Sequence, residues 1–255
     1  MAELPPVEQE KAITLGHPSY VWGFGQERRL DLIRRFVPLE DRAILDVGCG
    51  LGMYIRAMRR YSPDVHGIDL DPMKAAQASK EMPNICVASA EGLPYHDGAF
   101  DAVLSHEVVE HVADDRRAMA DAIRALRKPA PDEGRAGGRL VVFAPNRLYP
   151  FETHGAYWRG RYHFGNIPLV NYLPNRWRTH FCPHVRAYTR NDLRELLAGQ
   201  PARIVVHTQI FPGYDKVVRR WPTLGRILRR LAYILERTPF RLFGLSHLLV
   251  VERTL

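Results

Sequence analysis

The stretch SHEVVEHVADD, Ser105 to Asp115, places His106, Glu107, Glu110 and His111 within six consecutive positions. Imidazoles and carboxylates this close can hold a metal ion or move a proton. The zinc-protease pattern HExxH fails, because the fourth residue after His106 is Glu110, and the inverted HxxEH fails because position 107 is glutamate. What remains is Glu107, Glu110 and His111 at i, i+3 and i+4, the spacing of one face of a helix. These three are candidate ligands for a divalent cation, with His184 or His180 from "THFCPHVRAYT" as a further one. For proton removal the candidates are His106, His111, His154 and His184, and Asn146 in "APNRLYPFETHG" is a candidate substrate contact.

The surrounding elements must bring these groups to one place. Short apolar runs, "AILDV", "VHGID", "ICVA", "DAVLS" and "RLVVFA", alternate with helix-length amphipathic stretches. That alternation predicts parallel strands joined by crossover helices in a doubly wound α/β sheet. "QERRLDLIRRFV" leads into the first strand as a helix, and "DDRRAMADAIRALRK" follows the fourth. In such a sheet the carboxyl end of the fourth strand, where the histidines fall, opens on the ligand crevice. Arg147 to Val185 then breaks the rhythm, is rich in aromatics, Pro, Gly and His, and is long enough to be functional rather than connective. Thr189 and Asp192 predict a capped helix ending near Gly199, and "ARIVVHTQIF" and "HLLVVERTL" are two more strands.

Directly after the first strand, "ILDVGCGLGMYI" places Asp46, Gly48, Gly50 and Gly52 in a strand-to-helix turn, where free N–H groups can meet a polar ligand. The second strand ends in Asp69, and a carboxylate there can accept both hydroxyls of a ribose. Nicotinamide and flavin enzymes show GxGxxG, whereas this turn reads GxGxG, and "VASAEGLP" follows the third strand. Together these features resemble the class I S-adenosylmethionine-dependent methyltransferases, in particular those of the ubiquinone-pathway O-methyltransferase type, from about Gln26 to Leu255.

The resemblance implies a Rossmann-like seven-stranded sheet with the last strand antiparallel, helices on both faces, and insertions after strands five and six. It also implies S-adenosylmethionine as cofactor. Gly48, Gly50 and Gly52 would line it, flanked by Asp46, Cys49, Leu70 and Ser105; Asp69 would hold its ribose, and Ala90 and Glu91 would lie at the adenine. Ser89 stands where the family pattern has an acid. ExxEH also resembles the magnesium-binding element of plant small-RNA 2′-O-methyltransferases, and "EHV" the corresponding element of the ubiquinone-pathway enzymes.

At 255 residues the chain fits a single α/β domain, with an N-terminal cap and leading helix (1–40) and insertions at 147–185 and 215–243. Cys49, Cys86 and Cys182 form no CxxC pair and suggest a reducing compartment. The opening MAELPPVEQE does not read as a secretory signal, and no apolar run is long enough to span a bilayer, so a cytoplasmic location is expected. The net charge of +8 is concentrated between Lys216 and Arg241, which hold eight basic residues and one acid. A broad nucleic-acid surface is therefore not indicated. Within that segment Leu224, Ile227, Leu228, Leu231, Ile234 and Leu235 share one helical face and arginines the other. Such a helix either lies on an anionic membrane, making the protein peripheral on the inner face, or packs on its own domain.

The expected activity is O-methylation of a small lipophilic, hydroxylated, sugar-containing or lipid-linked acceptor, walled by Tyr20, Trp22, Tyr149, Trp158 and Tyr162. The alternatives are an RNA 2′-O-methyltransferase with a metal-bound ribose and a non-catalytic cofactor-binding scaffold.

Overall fold

The computed structural model describes residues 22–255. The central sheet has seven strands: β1 (Ile44–Val47), β2 (Val65–Asp69), β3 (Ile85–Val87), β4 (Ala102–His106), β5 (Arg139–Pro145), β10 (Ala202–Ile210) and β11 (Ser246–Arg253). Their order is β10-β11-β5-β4-β1-β2-β3. Only β11 runs antiparallel to its neighbours, β5 and β10. The seven strands and the reversed last one are as expected.

β1 is buried along its whole length, because both faces of the sheet are covered. Ile44, Leu104, Val141 and Phe143 pack against Leu30 and Ile33 of α1 (Phe24–Phe36) and Ile55 and Met58 of α2 (Met53–Met58). Leu45, Val47, Val103, Leu140 and Val142 face the other way, onto Met119 and Ile123 of α4 (Asp115–Ala125) and Leu193 and Leu196 of α6 (Arg190–Leu196). The N-terminus of α6 closes as its sequence predicts: Thr189 accepts from the Asp192 N–H while the Asp192 carboxylate accepts from the Thr189 N–H. Between β2 and β3 lies α3 (Pro72–Ser79), capped by Asp71.

Both insertions fall where expected. The first contains two small hairpin sheets, β6 (Phe151–Glu152) with β9 (Ile167–Pro168) and β7 (Ala156–Trp158) with β8 (Arg161–His163), and α5 (Asn175–Phe181). Its buried hub is polar: Arg178 donates to Glu152, to Asn171 and to the Val185 carbonyl. The second holds α7 (Asp215–Arg220) and α8 (Pro222–Leu235).

One predicted element is absent. Residues 107–113 form turns rather than a helix, and α4 begins only after Asp114, whose carboxylate accepts from the Arg117 N–H. Glu107 sits in the left-handed region, at φ 56°, which stops a helix from starting at the end of β4. Glu107, Glu110 and His111 therefore do not share a helical face.

Candidate active site

A cavity of about 680 Å³ opens at the carboxyl ends of β1, β2, β4 and β5. Its floor is the turn after β1. Gly48 lies at φ 71°, and a Cβ there would sit 2.4 Å from Val108 Cγ2; Gly50, at φ 55°, has nothing within 4 Å of such a Cβ. Bare backbone therefore faces open space where the resemblance puts a ligand. Gly52 does not line the cavity: a Cβ on it would lie 2.2 Å from Met82 Cε, so this glycine serves the packing of α2 on the chain after α3.

Asp69 closes the second side. One of its oxygens accepts from the Gly50 N–H at 2.8 Å and the other from the Asp71 N–H at 2.8 Å. Each oxygen retains acceptor capacity, so a carboxylate held rigidly against the glycine turn is presented to a diol. Beside it Leu70, more than half exposed, and Ala88, Ser89, Ala90 and Glu91 extend the wall. The Ser89 hydroxyl accepts from the Glu91 N–H, and Glu91 accepts from the Asp114 N–H, so both brace this loop. Asp46 and Cys49 also line the cavity. Burial, and then the charge of Asp69, raise the Asp46 pKa well above the carboxylate range; burial, then Asp46, raise the Cys49 thiol. A cationic ligand would restore the charge on Asp46. Ser105 is buried inside β4 between Val47 and Val142 and lies off the cavity wall, so its assignment to the cofactor is corrected.

The opposite wall carries the imidazoles. His106 packs against Tyr54 and Phe143, and its Nε2 is engaged by Arg29 Nη1. Burial, then the Arg29 charge, push its pKa down to about 3. Its accepting nitrogen is occupied, so it is not placed as a base. Arg29 also donates to Glu107 at 3.3 Å and to Ser246 at 3.1 Å. Burial would raise Glu107, but the Arg29 charge, the neighbouring imidazoles and the Ser246 hydroxyl together outweigh it and hold the carboxylate at about 2.

His111 and His154 lie with ring centroids 5.3 Å apart, and both line the cavity. His111 Nδ1 is 3.4 Å from the His184 carbonyl oxygen, and His154 Nδ1 is 3.0 Å from Glu152 Oε1. Each contact fixes Nδ1 as the protonated nitrogen and leaves Nε2 as an acceptor. Burial, then His154, lower the His111 pKa to about 4, which keeps the ring neutral. Burial would raise Glu152, but the hydrogen bond from His154 and the Arg178 charge hold it at about 2. Ligand atoms of Glu110, His111 and His154 lie within 4.8 Å of one another. Glu110 is 1 % exposed and neither of its oxygens accepts a hydrogen bond among the described residues. Burial, then the Glu107 charge, raise its pKa and favour the protonated form.

Several expected residues serve the scaffold instead. His184 contributes its carbonyl to His111, while its ring contacts the His154 carbonyl and lies off the cavity. His180 is exposed beside Phe181. Asn146 is buried and donates to the carbonyls of Leu242 and Gly244, which pins the chain before β11 and leaves nothing for a substrate. The aromatics of the first insertion pack largely among themselves, Tyr157 with Tyr162 and Trp158 with Phe181, and Tyr149 is also away from the cavity. Trp22 stacks on the edge of Tyr54, and Tyr20 lies outside the described residues. Sequence reasoning missed Arg29, Thr153, Phe164 and Ser246, all on the wall. Arg29 belongs to a helix whose arginines look like a solvated face, and Ser246 to a strand read only as core.

Residues 45–130 match the methyltransferase domain family. That stretch, about a third of the chain, runs from β1 through α4 and holds the glycine turn and Asp69. Its curated relatives include a ubiquinone biosynthesis O-methyltransferase of Xylella fastidiosa, 38% identical over 126 residues, covering 47% of this chain and 48% of that protein. Norajmaline N-methyltransferase of Rauvolfia serpentina is 33% identical over 119 residues, covering 41% of each. The match thus spans less than half of the length of these two relatives. Among solved structures, an S-adenosylmethionine-dependent methyltransferase from Mesorhizobium loti superposes with a TM-score of 0.61 at 19% identity, covering 91% of this chain and 99% of that one. The [4+2]-cyclase SpnF superposes with a TM-score of 0.57 at 17% identity, covering 98% and 92%. Both share the fold of this chain. Of the residues expected at the cofactor, Asp46, Gly48, Cys49, Gly50, Asp69, Leu70, Ala90 and Glu91 line the cavity, and Gly52 and Ser105 do not.

Proposed function

We propose that the protein transfers a methyl group from S-adenosylmethionine to a hydroxyl of a small lipophilic acceptor, with His154 as the general base. The observation that carries this reading is the continuity of one cavity from Asp69 and the glycine turn to the imidazoles of His111 and His154. A bound S-adenosylmethionine supplies an electrophilic methyl on a sulfonium. The chain's own task is then to position the acceptor and take its proton. His154 suits the second: Glu152 orients it through Nδ1 and stabilises the imidazolium that forms, and Arg178 anchors Glu152. Oxygen rather than nitrogen as the acceptor atom is supported by this base, because a hydroxyl, unlike an amine, must lose its proton to become a competent nucleophile. The relatives include both kinds of enzyme.

The test is a panel of lipophilic phenols and amines, with S-adenosylhomocysteine release and mass spectrometry of the product. His154→Gln is expected to lower kcat about 100-fold while leaving S-adenosylhomocysteine affinity unchanged. Methylation of amines alone, or a variant as fast as the parent, would sink the proposal.

A second reading is favoured by the unpartnered Glu110 carboxyl: Glu110, His111 and His154 together could hold a divalent cation that binds the acceptor oxygen. Because Glu110 must lose its proton to ligate, binding would release one. Chelation should then abolish turnover and added Mg²⁺, Mn²⁺ or Zn²⁺ restore it; unchanged turnover in EDTA refutes the cation and leaves His154 as base.

A further inference from the structure

α8 is mounted with its leucines facing outward. Gly225 and Ala232 are its buried residues, and its inward face is otherwise polar. Arg229 donates to the Gly213 carbonyl and to Asp215, and its guanidinium lies 4.0 Å from the Phe24 ring centroid. Glu236, just past the helix, accepts from the Phe211 N–H and pairs with Arg28, which also stacks on Tyr233. Gly225 lets α7 approach, since a Cβ on it would lie 2.5 Å from Val218 Cα. These contacts fix the helix in one rotation. They leave Leu224, Ile227, Leu231 and Ile234 each more than half exposed, with Trp221 and Phe240 at the two ends. An amphipathic helix packed on its own domain buries its apolar stripe. Here the stripe points to solvent and a partly buried arginine points to the domain.

Charge indicates what covers it. Arg226 and Arg230 flank the stripe on α8, with Arg219 and Arg220 before it and Arg237 and Arg241 after it; all six are exposed and make no ion pair among the described residues. Two copies brought together through this face would bring these like charges together. An anionic bilayer would neutralise the arginines while taking up the apolar stripe, and tryptophan and phenylalanine suit the interfacial level. None of the helices among the described residues is long and apolar enough to cross a membrane.

We infer that α8 is a peripheral docking helix for a bilayer rich in anionic phospholipid. It lies flat, with the leucine stripe among the acyl chains and the arginines at the phosphates. Its clasp on α1 gives the docked face and the cavity a common element, because Gln26 and Arg29 of α1 line that cavity.

The test uses the full chain and sedimentation with vesicles of phosphatidylcholine alone or mixed with phosphatidylglycerol. Binding to the mixed vesicles, weak binding to phosphatidylcholine alone, and release by high salt are expected. Ile227→Ser with Leu231→Ser, and separately Arg226→Glu with Arg230→Glu, should each weaken vesicle binding about tenfold or more without changing the thermal midpoint, since all four side chains are exposed. Equal binding to both vesicle types, or none to either, would overturn the proposal. So would a dimer, seen by light scattering, that the serine variant dissolves while vesicle binding is absent. None of these readouts depends on methyl transfer, so the docking helix and the catalytic proposal stand or fall separately.

Discussion

The glycines of the turn after β1 separate into different duties when each is examined by what a Cβ would meet. Gly50 borders open cavity and Gly52 borders Met82, yet both lie at positive φ and look alike in the string GCGLG. Gly52→Ala should therefore cost stability, about 2 kcal/mol from left-handed strain and the displaced Met82 side chain, and leave S-adenosylhomocysteine affinity within about twofold. Gly50→Ala carries similar backbone strain but also narrows the wall beside Asp69, whose carboxylate it holds through its N–H. It should weaken that affinity about tenfold or more. Thermal melts and calorimetry on the two variants check the division; equal affinity losses would refute it. The histidines divide in the same manner. Of the four candidate bases, His106, His111, His154 and His184, Arg29 disables the first and the fold turns the last away.

Among the elements, those built on local signals were legible and those built on distant contacts were not. Strands and crossover helices follow from apolar runs and caps that lie within a few residues of one another. The expected helix at Glu107 fails for a reason also present in the chain: Asp114 is an N-cap, and it competes successfully for the start of α4. Counting from Asp114 rather than from the end of β4 would have left 107–113 as a loop. The first insertion has no such local sign. Its hub joins Glu152 to Arg178, twenty-six positions apart, and the hydrogen bond that orients His154 hangs from that hub. The general base proposed for this site is thus the product of a tertiary contact that no local pattern encodes. For α8 the sequence showed an apolar stripe and a basic one without telling which faces the domain; Arg229 and Glu236 decide it by their partners.

At the scale of the whole molecule, the two edge strands and the segment leading into α6 meet at a chain of buried imidazoles. His207 on β10 has Nε2 3.1 Å from His247 Nδ1 on β11, and His247 Nε2 is 2.9 Å from the Tyr188 carbonyl, just before α6. His207 then donates to His247 and His247 to Tyr188; protonating His247 would remove the acceptor, and protonating His207 would put an N–H on its buried Nδ1, which has no partner among the described residues. Burial, then the neighbouring His247, lower the His207 pKa to about 3, and burial lowers that of His247. The unfolded value is about 6.5, so above it neither state gains a proton and the stability is complete. Between about 6.5 and the folded value the unfolded chain takes up a proton that the native one refuses, and stability falls as pH falls. The Asp46 and Glu110 carboxyls, held protonated, act in the opposite sense over this window, so the total slope is mixed. The difference from a single variant isolates the imidazole. His207→Gln keeps a donor toward His247 Nδ1 but cannot be protonated, and between pH 7 and 5 it should lose about 2 kcal/mol less stability than the parent. That gap corresponds to roughly 4–8 °C in thermal midpoint for a chain of this size. Parallel midpoint curves for parent and variant would mean that His207 is as easily protonated folded as unfolded, and that the link between the sheet edge and the start of α6 does not depend on its neutrality.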